Sequence, residues 1–507
     1  MLVPVSQPIS PIFTPMKWAI WTIEQFQLFD KWLAGARILD PTAGSGHFLF
    51  AFLEIAKKRN YNLNQLPIHQ LFGIEKEPMF VKLFFQTIKE VYGVDFPEEN
   101  FILSDILFAE KSIEADILVG NPPWVNFIDL PPNYRQKIKP LFMDYQLFEN
   151  KKDSLLGGSR IDLANLIVKH CLFSQLKEKG EAYFFLPLHL LLNEGANNQF
   201  RTYTTQDVPF SVEEVFDFQH NNIFPNITAR YGMMAFRRDK MPSFPIPFHQ
   251  YQPLTNEWKP HFAQPIFELQ DALCVMESEL AYKIWDDFEK ILLPKETQPR
   301  QGVNTCGAND IFIFDNYQSL NEELAWVSNA QNKGVILPKR YLFPMISKEN
   351  FKETELTAHK WILMPYQTET ARPLTWEELE NDGLLALYLS QYEEVLKQRK
   401  GSFIQNWIKK GYWWALLGVG MYCFQAYKIA WESYGGKQFR PLLLPEKWQA
   451  NQANHAYLPI ENEATAHELW DKFQNPKIET YLTSLQMQGT CNWAQPGKMK
   501  KIFISPA

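Results

Sequence analysis

Five cysteines in 507 residues, Cys171, Cys274, Cys306, Cys423 and Cys491, include no C-x-x-C pair. That scarcity removes the zinc ribbons and thiol–disulfide motifs that depend on paired thiolates, and it predicts isolated buried thiols and no metal site. Nor does any stretch approach the roughly 18 uninterrupted apolar residues that a membrane-spanning helix needs. The start, Met1-Leu2-Val3-Pro4, has no basic segment ahead of an apolar run, so no secretory leader and a cytoplasmic location are expected. Two nucleotide signatures are missing as well: no Lys follows the glycines as a triphosphate loop requires, and no G-x-G-x-x-G dinucleotide fingerprint occurs. Basic residues are outnumbered, 50 Lys and Arg against 57 Asp and Glu for a net charge of -7, which speaks against a uniformly polyanion-binding surface. The excess acid is all in one part: residues 1–280 hold 25 basic and 32 acidic side chains, residues 281–507 hold 25 and 25. A neutral part can still gather its cations on one face.

The length exceeds one ordinary core and predicts two or three domains. From Arg37 to Arg238 short apolar runs alternate with stretches of helical period, the pattern of βα units around a mainly parallel sheet. The expected strands are Arg37–Asp40, Leu71–Glu75, Phe101–Ser104, Asp116–Gly120, Ala182–Pro187, Val212–Phe218 and Tyr231–Arg237. The expected helices are His47–Arg59, Pro78–Val91, Asp162–Lys179 and Glu194–Thr204. Three prolines in Met241–Pro247 break this rhythm. They set the expected division: a domain over 1–245, a linker over 246–290, and a second domain over 291–507, less regular and rich in Trp, Pro and Gln, with Gly383–Lys397 as its clearest amphipathic helix.

Within the first domain, Ile38-Leu39-Asp40-Pro41-Thr42-Ala43-Gly44-Ser45-Gly46-His47 reads as a buried strand, a glycine turn and a helix start. Gly44 and Gly46 let the backbone approach a ligand closely, and the helix N-terminus supplies free N–H groups. Such a turn at a strand's carboxyl end builds a nucleotide-like pocket. Two acids follow at later strand ends, Glu75 and Asp105. A carboxylate at the second strand end suits a pair of ribose hydroxyls, and one after the third suits an adenine amino group.

The sharpest feature is Asp116-Ile117-Leu118-Val119-Gly120-Asn121-Pro122-Pro123-Trp124, a buried strand that stops at a polar residue and two prolines. The chemistry fits a planar NH2 group. The Asn121 side-chain oxygen and the Pro122 carbonyl each accept one amino hydrogen, and Pro122 has no N–H to compete. Two such acceptors draw the nitrogen towards a tetrahedral, nucleophilic geometry without a strong base. Trp124 adds a flat surface on which an extruded base stacks, worth about 1–3 kcal/mol by analogy with single-strand binding.

In this order, these motifs resemble the gamma-class, TaqI-type DNA adenine-N6 methyltransferases. The resemblance implies a Rossmann-like S-adenosylmethionine-dependent methyltransferase domain followed by a mixed α+β target-recognition domain. It implies further that Phe13-Thr14-Pro15 is the N-terminal cofactor motif, so that Thr14, Asp40, Gly44, Gly46, Glu75, Asp105, Ile106 and Asn121 hold S-adenosylmethionine. Asn121, Pro122 and Trp124 would be catalytic, and Phe224, in Asn222-Ile223-Phe224-Pro225-Asn226, would cover the flipped base opposite Trp124. Arg300–Thr305, Pro338–Pro344, Trp361–Tyr366 and Leu387–Arg399 look like segments of the recognition domain. The implied partners are double-stranded DNA and separate restriction or defence-system subunits, with no membrane. Two other readings stand beside this one: a protein-glutamine methyltransferase, which also holds a planar amide in N-P-P-aromatic, and a catalytically silent DNA-binding subunit. A cytosine-N4 enzyme usually carries Ser at position 121. Trp124 departs from the family's more usual Tyr or Phe, and the form of Val125–Arg160 is open between a lid and a DNA-contacting loop.

Overall fold

The computed structural model describes residues 13–148, 161–193, 197–219, 223–224, 229–276, 289–295, 297–434, 438–485 and 494–504. The chain divides into two compact units, Met1–Tyr282 and Lys283–Ala507.

Third from one edge of the first unit's main sheet lies β1 (Ile38–Asp40), three residues that are all buried. β2 (Leu71–Glu75) and β3 (Phe101–Leu103) follow on one side of it, each parallel to its neighbour. The chain then crosses to the other side to lay down β4 (Ala115–Gly120) and β5 (Leu176–Pro187), again parallel. The order therefore reverses between β1 and β4, and a crevice opens outside the carboxyl ends of the strands at such a reversal. β6 (Thr204–Thr205) pairs with β7 (Val208–Asp217), while β8 (Tyr231–Arg238) runs antiparallel between β5 and β7.

Burial on both faces explains the near-continuous apolar strands. One face is covered by α1 (Met16–Gln25), α2 (Leu28–Leu33), α3 (His47–Lys58) and α4 (Pro78–Thr87), an aromatic-rich layer in which Phe84 stacks on Phe50 at 5.2 Å and on Phe101 at 4.0 Å. The other is covered by α5 (Pro132–Asp144) and α6 (Leu163–Ser174), whose Ile138, Phe142, Leu166 and Leu172 are fully buried. The expected α/β layering is present.

Several boundaries differ from the sequence reading. The helix expected over Asp162–Lys179 ends at Ser174, because Leu176 already pairs with Ala115 of β4 and the Gln175 side chain accepts a hydrogen bond from Ile113 N at 3.0 Å. The helix expected over Pro78–Val91 ends in a π turn, Ile88–Tyr92, closed by Gly93 at φ 62°. Of Glu194–Thr204, residues 194–196 lie outside the described residues, and the rest holds a 3-10 turn, Phe200–Thr202, and the start of β6. There the buried Arg201 ties the turn to the carbonyls of Leu190 and Gln270, a tertiary demand that overrides helical propensity. Residues 246–276 of the expected linker are largely sheet. β9 (Ile246–Gln252) pairs parallel with β7, and β10 (Glu257–Pro265) and β11 (Leu273–Met276) extend it, giving the order β11-β10-β9-β7-β8-β5-β4-β1-β2-β3. Pro242 and Pro245 punctuate a strand connection, and the unit runs on to Tyr282.

The second unit is mixed α+β. Arg300–Gln301, His455–Ile460, Tyr427–Glu432 and Leu442–Leu444 form a four-stranded antiparallel sheet. The helix Glu463–Phe473 packs on it, and the unit also holds two three-stranded antiparallel sheets and several short helices. The helix expected over Gly383–Lys397 is two, Leu384–Ser390 and Glu393–Lys397, separated at Gln391–Tyr392. Among the described residues no helix is long and apolar enough to cross a membrane, and no group of His, Cys, Asp and Glu is placed to hold a metal ion. Cys171, Cys274 and Cys423 are buried and Cys306 is half-buried, all as free thiols; Cys491 lies outside the described residues.

Candidate active site

The glycine turn after β1 leaves no room for side chains. Gly44 and Gly46 sit at φ 54° and 91°, in the left-handed region that favours glycine. A Cβ on Gly46 would lie 2.3 Å from the Phe84 ring, and one on Gly44 would lie 3.0 Å from the Phe13 ring. Glu75, at the end of β2, accepts the Gly44 N–H at 2.8 Å through one oxygen and the Glu77 N–H at 2.8 Å through the other. The strand-end acid and the glycine turn thus meet directly. Phe13 packs edge-on against His47 at 5.5 Å and Phe80 at 5.1 Å, which brings the N-terminal Phe13-Thr14-Pro15 onto the same turn.

Two hydroxyls in this region stand out. Thr14 Oγ1 and Thr42 Oγ1 are buried and have no hydrogen-bond partner. A buried polar group without a partner costs about 1–3 kcal/mol, so two around one glycine turn fit a polar ligand that completes them. Thr42 was not singled out from the sequence, although a hydroxyl in a turn next to the glycines is a readable signal.

Asp40 lies beneath the turn, fully buried, its Oδ1 accepting Thr42 N–H at 3.1 Å. Burial pushes its carboxyl up to about 8; the Thr42 bond opposes that shift and the neighbouring Glu75 charge adds to it. Gly120, the last residue of β4, gives the carboxyl its space: a Cβ there would lie 2.8 Å from Asp40 Oδ1. The ends of β1 and β4 therefore touch at the switch point.

Asp105 follows β3. Its Oδ1 caps the turn Ile106–Phe108 by accepting Leu107 N–H at 3.1 Å, and its Oδ2 accepts the Tyr134 hydroxyl at 2.8 Å. Ile106 is buried in the core beneath. Tyr134 comes from α5, inside the stretch 125–160 that the sequence left open; Pro131-Pro132 at its start is the helix-initiation signal that was available.

Beyond Gly120 the tetrapeptide leaves the sheet with Asn121 half-buried, Pro122 buried, Pro123 exposed and Trp124 half-buried. The Trp124 indole N–H donates to the Phe185 carbonyl at 3.1 Å, which pins the ring to the end of β5. Phe224 meets Trp124 edge-on at 5.3 Å, and Tyr231 lies 5.4 Å from it in a tilted arrangement. The two residues expected to flank a base are thus in contact, yet Phe224 is fully buried here, against Phe185 at 5.5 Å and Tyr231 at 4.9 Å. The Tyr231 hydroxyl accepts the N–H groups of Ile223 and Phe224 at 2.9 and 3.3 Å. Asn222, Pro225 and Asn226 lie outside the described residues. The connection that carries Phe224 springs from a buried ion pair, Asp217 at the end of β7 and Arg230 ahead of β8, which sequence spacing did not reveal.

A glycine turn, acids at or just after successive strand ends and an Asn-Pro-Pro-Trp strand terminus thus all lie at the carboxyl ends of the parallel strands β1 to β4. Residues 12–251 match the N-6 DNA methylase family. That family implies S-adenosylmethionine as methyl donor, and the matched stretch runs from just before Thr14 into β9, so every site residue proposed above falls inside the N-6 DNA methylase region. Comparison with curated protein sequences gives no match. Among solved structures, the Type IIL restriction-modification enzyme MmeI in complex with DNA is similar over 94% of this chain and 64% of its own, at TM-score 0.54 and 12% identity. A nuclease-deletion mutant of the Type ISP restriction-modification enzyme LlaGI, in complex with a DNA substrate mimic, matches at TM-score 0.48 and 12% identity, over 98% of this chain and 54% of that one. A modification subunit of a putative type I restriction enzyme from Vibrio vulnificus YJ016 matches at TM-score 0.34 and 16% identity, over 49% and 48%. The chain thus spans less than two thirds of each of these proteins. At such identities the likeness to MmeI speaks to the fold: an α/β methyltransferase-like mixed sheet with helices, followed by small antiparallel sheets.

In the second unit, the segments that looked like recognition elements are partly structural. Arg399 is buried, with its guanidinium on the carbonyls of Thr305, Trp413 and Leu396. Arg340 pairs with Asp382 at 2.5 Å but stays two-thirds exposed, and Lys339 donates to Ser319 Oγ at 2.7 Å. Ile362, Leu363 and Met364 belong to the core.

Proposed function

We propose that the protein is a site-specific DNA methyltransferase that transfers a methyl group from S-adenosylmethionine to N6 of an adenine flipped out of double-stranded DNA, in the manner of the gamma class. The observation that carries this is the convergence at the β1/β4 switch point: the glycine turn with its two unpartnered buried hydroxyls lies one strand away from Asn121-Pro122-Pro123-Trp124. Thr14, Asp40, Thr42, Gly44, Gly46, Glu75, Asp105, Ile106 and Asn121 would hold the donor. S-adenosylmethionine supplies a methyl group on a cationic sulfur whose departure needs no acid.

The chain's task is to present the amine. The Asn121 side-chain oxygen and the Pro122 carbonyl accept the two amino hydrogens and draw the nitrogen lone pair out of conjugation with the ring, towards a tetrahedral geometry. Trp124 offers its face to the base, and Phe224 would form the opposite wall. The second unit reads the target sequence, and separate restriction or phage-defence subunits act with it. Sequencing single DNA molecules from cells with and without the gene tests this reading: N6-methyladenine at one sequence context, lost with the gene, is the expected result.

Two further outcomes are expected. At pH 7 the buried Asp40 carboxyl holds its proton, since its titration lies near 8. A cationic donor bound beside it favours the carboxylate and lowers that value, so binding releases protons at neutral pH. Calorimetry in phosphate and in Tris should therefore give binding enthalpies that differ in proportion to buffer ionisation heat, a difference that Asp40→Asn removes. For Trp124→Ala, affinity for DNA with an abasic or mismatched target should fall about tenfold with donor affinity within about threefold, following the stacking energy of about 1–3 kcal/mol. Equal losses would make Trp124 a purely structural residue.

A further inference from the structure

We propose that Tyr134, in the first turn of α5, is a positioning residue that holds Asp105 ready to accept the adenine amino group of the methyl donor. This rests on the S-adenosylmethionine reading above, but Tyr134 lies outside every motif that led to it. A carboxylate oxygen has two acceptor positions. Asp105 Oδ1 spends one on Leu107 N–H at 3.1 Å and Oδ2 spends one on the Tyr134 hydroxyl at 2.8 Å. With both oxygens held, the carboxylate plane cannot turn, and each oxygen keeps a position for an incoming N–H. In that bond the Tyr134 hydroxyl donates and the Asp105 carboxyl accepts. Burial and the adjacent carboxylate both push the Tyr134 hydroxyl upward, so it stays a donor throughout the physiological range.

Tyr134 is also well anchored. On the same helix Ile138 and Phe142 are fully buried, and Phe142 packs on Phe127 at 4.9 Å. The Lys76 ammonium lies 5.4 Å from the centre of the Tyr134 ring, and Lys76 directly follows Glu75. One side chain from α5 therefore touches groups at the ends of both β2 and β3, the strands whose acids are assigned to ribose and adenine. α5 continues from the catalytic tetrapeptide, so the segment that carries the reaction site also supplies this support for the nucleotide site.

The test is Tyr134→Phe, which keeps the ring and removes only the hydroxyl. Calorimetric affinities are measured for S-adenosylhomocysteine and for its inosine counterpart, in which a carbonyl replaces the amino group. The expected result is a five- to twentyfold loss of affinity for the adenine ligand and little change for the inosine ligand, so that discrimination between them narrows. In turnover, KM for the donor should rise while kcat at saturation stays within about twofold. Equal loss for both ligands, no change, or tighter binding of the adenine ligand by the variant would overturn the proposal while wild-type binding leaves the donor reading standing. A wild-type protein that binds neither ligand overturns the donor reading, and the proposal with it.

Discussion

Asn121→Ala is expected to lower the single-turnover rate of methyl transfer by about 10²–10³-fold or more while S-adenosylmethionine binds within a few-fold of wild type. The magnitude is that of removing one preorganised hydrogen-bond partner from a transition state. Its selectivity follows from the proposed roles: Asn121, one residue past the end of β4, would act mainly on the substrate amine and contribute little to the donor, which the turn after β1, Glu75 and Asp105 would chiefly hold. Truncation also removes the side-chain oxygen and leaves Pro122 C=O as the lone acceptor. Rapid-quench transfer from labelled donor, with calorimetric binding on the same protein, checks both halves. Undiminished transfer, or equal loss of donor binding, would contradict the assigned role.

Arg230→Ala is expected to destabilise the first unit by about 3–5 kcal/mol, the usual effect of leaving one member of a buried ion pair alone. Asp217 is fully buried and Arg230 nearly so, and the guanidinium reaches both carboxylate oxygens, with Nε at 3.1 Å from each. Without Arg230 the Asp217 carboxylate keeps only the Gln219 N–H at 2.8 Å among the bonds described for it. For a unit of this size the loss corresponds to a Tm lower by about 6–20 °C. The pair closes the connection bearing Phe224, so the variant should also lose turnover on DNA more steeply than donor affinity. Thermal melts with and without donor measure the first effect; a change within about 1 kcal/mol would show that the pair contributes little.

What was legible in the sequence follows from how local the signals are. Strand ends such as Glu75 and Gly120 declare themselves because an apolar run stops at a polar or glycine residue, and β2 matches its expected span residue for residue. The glycine turn and Asn-Pro-Pro-Trp are likewise contiguous. The features that escaped are made by residues distant in sequence. Tyr134 meets Asp105 across 29 positions, and Asp217 meets Arg230 through strand pairing that no period encodes. β9 to β11 were missed because prolines were read as a domain boundary when they mark a connection between strands of one sheet. Phe224 was placed in the right neighbourhood, beside Trp124, but its full burial depends on the surrounding Phe185 and Tyr231.

Asn121-Pro122-Pro123-Trp124 by itself specifies only a planar NH2 group, which a glutamine amide also presents, so the substrate is the central claim to test. The most direct measurement is nucleoside mass spectrometry of unmethylated DNA incubated with the purified protein and isotopically labelled S-adenosylmethionine. The account predicts labelled N6-methyladenine, absent with Asn121→Ala. Label recovered in protein glutamine, or in no DNA base while the donor binds, would contradict it.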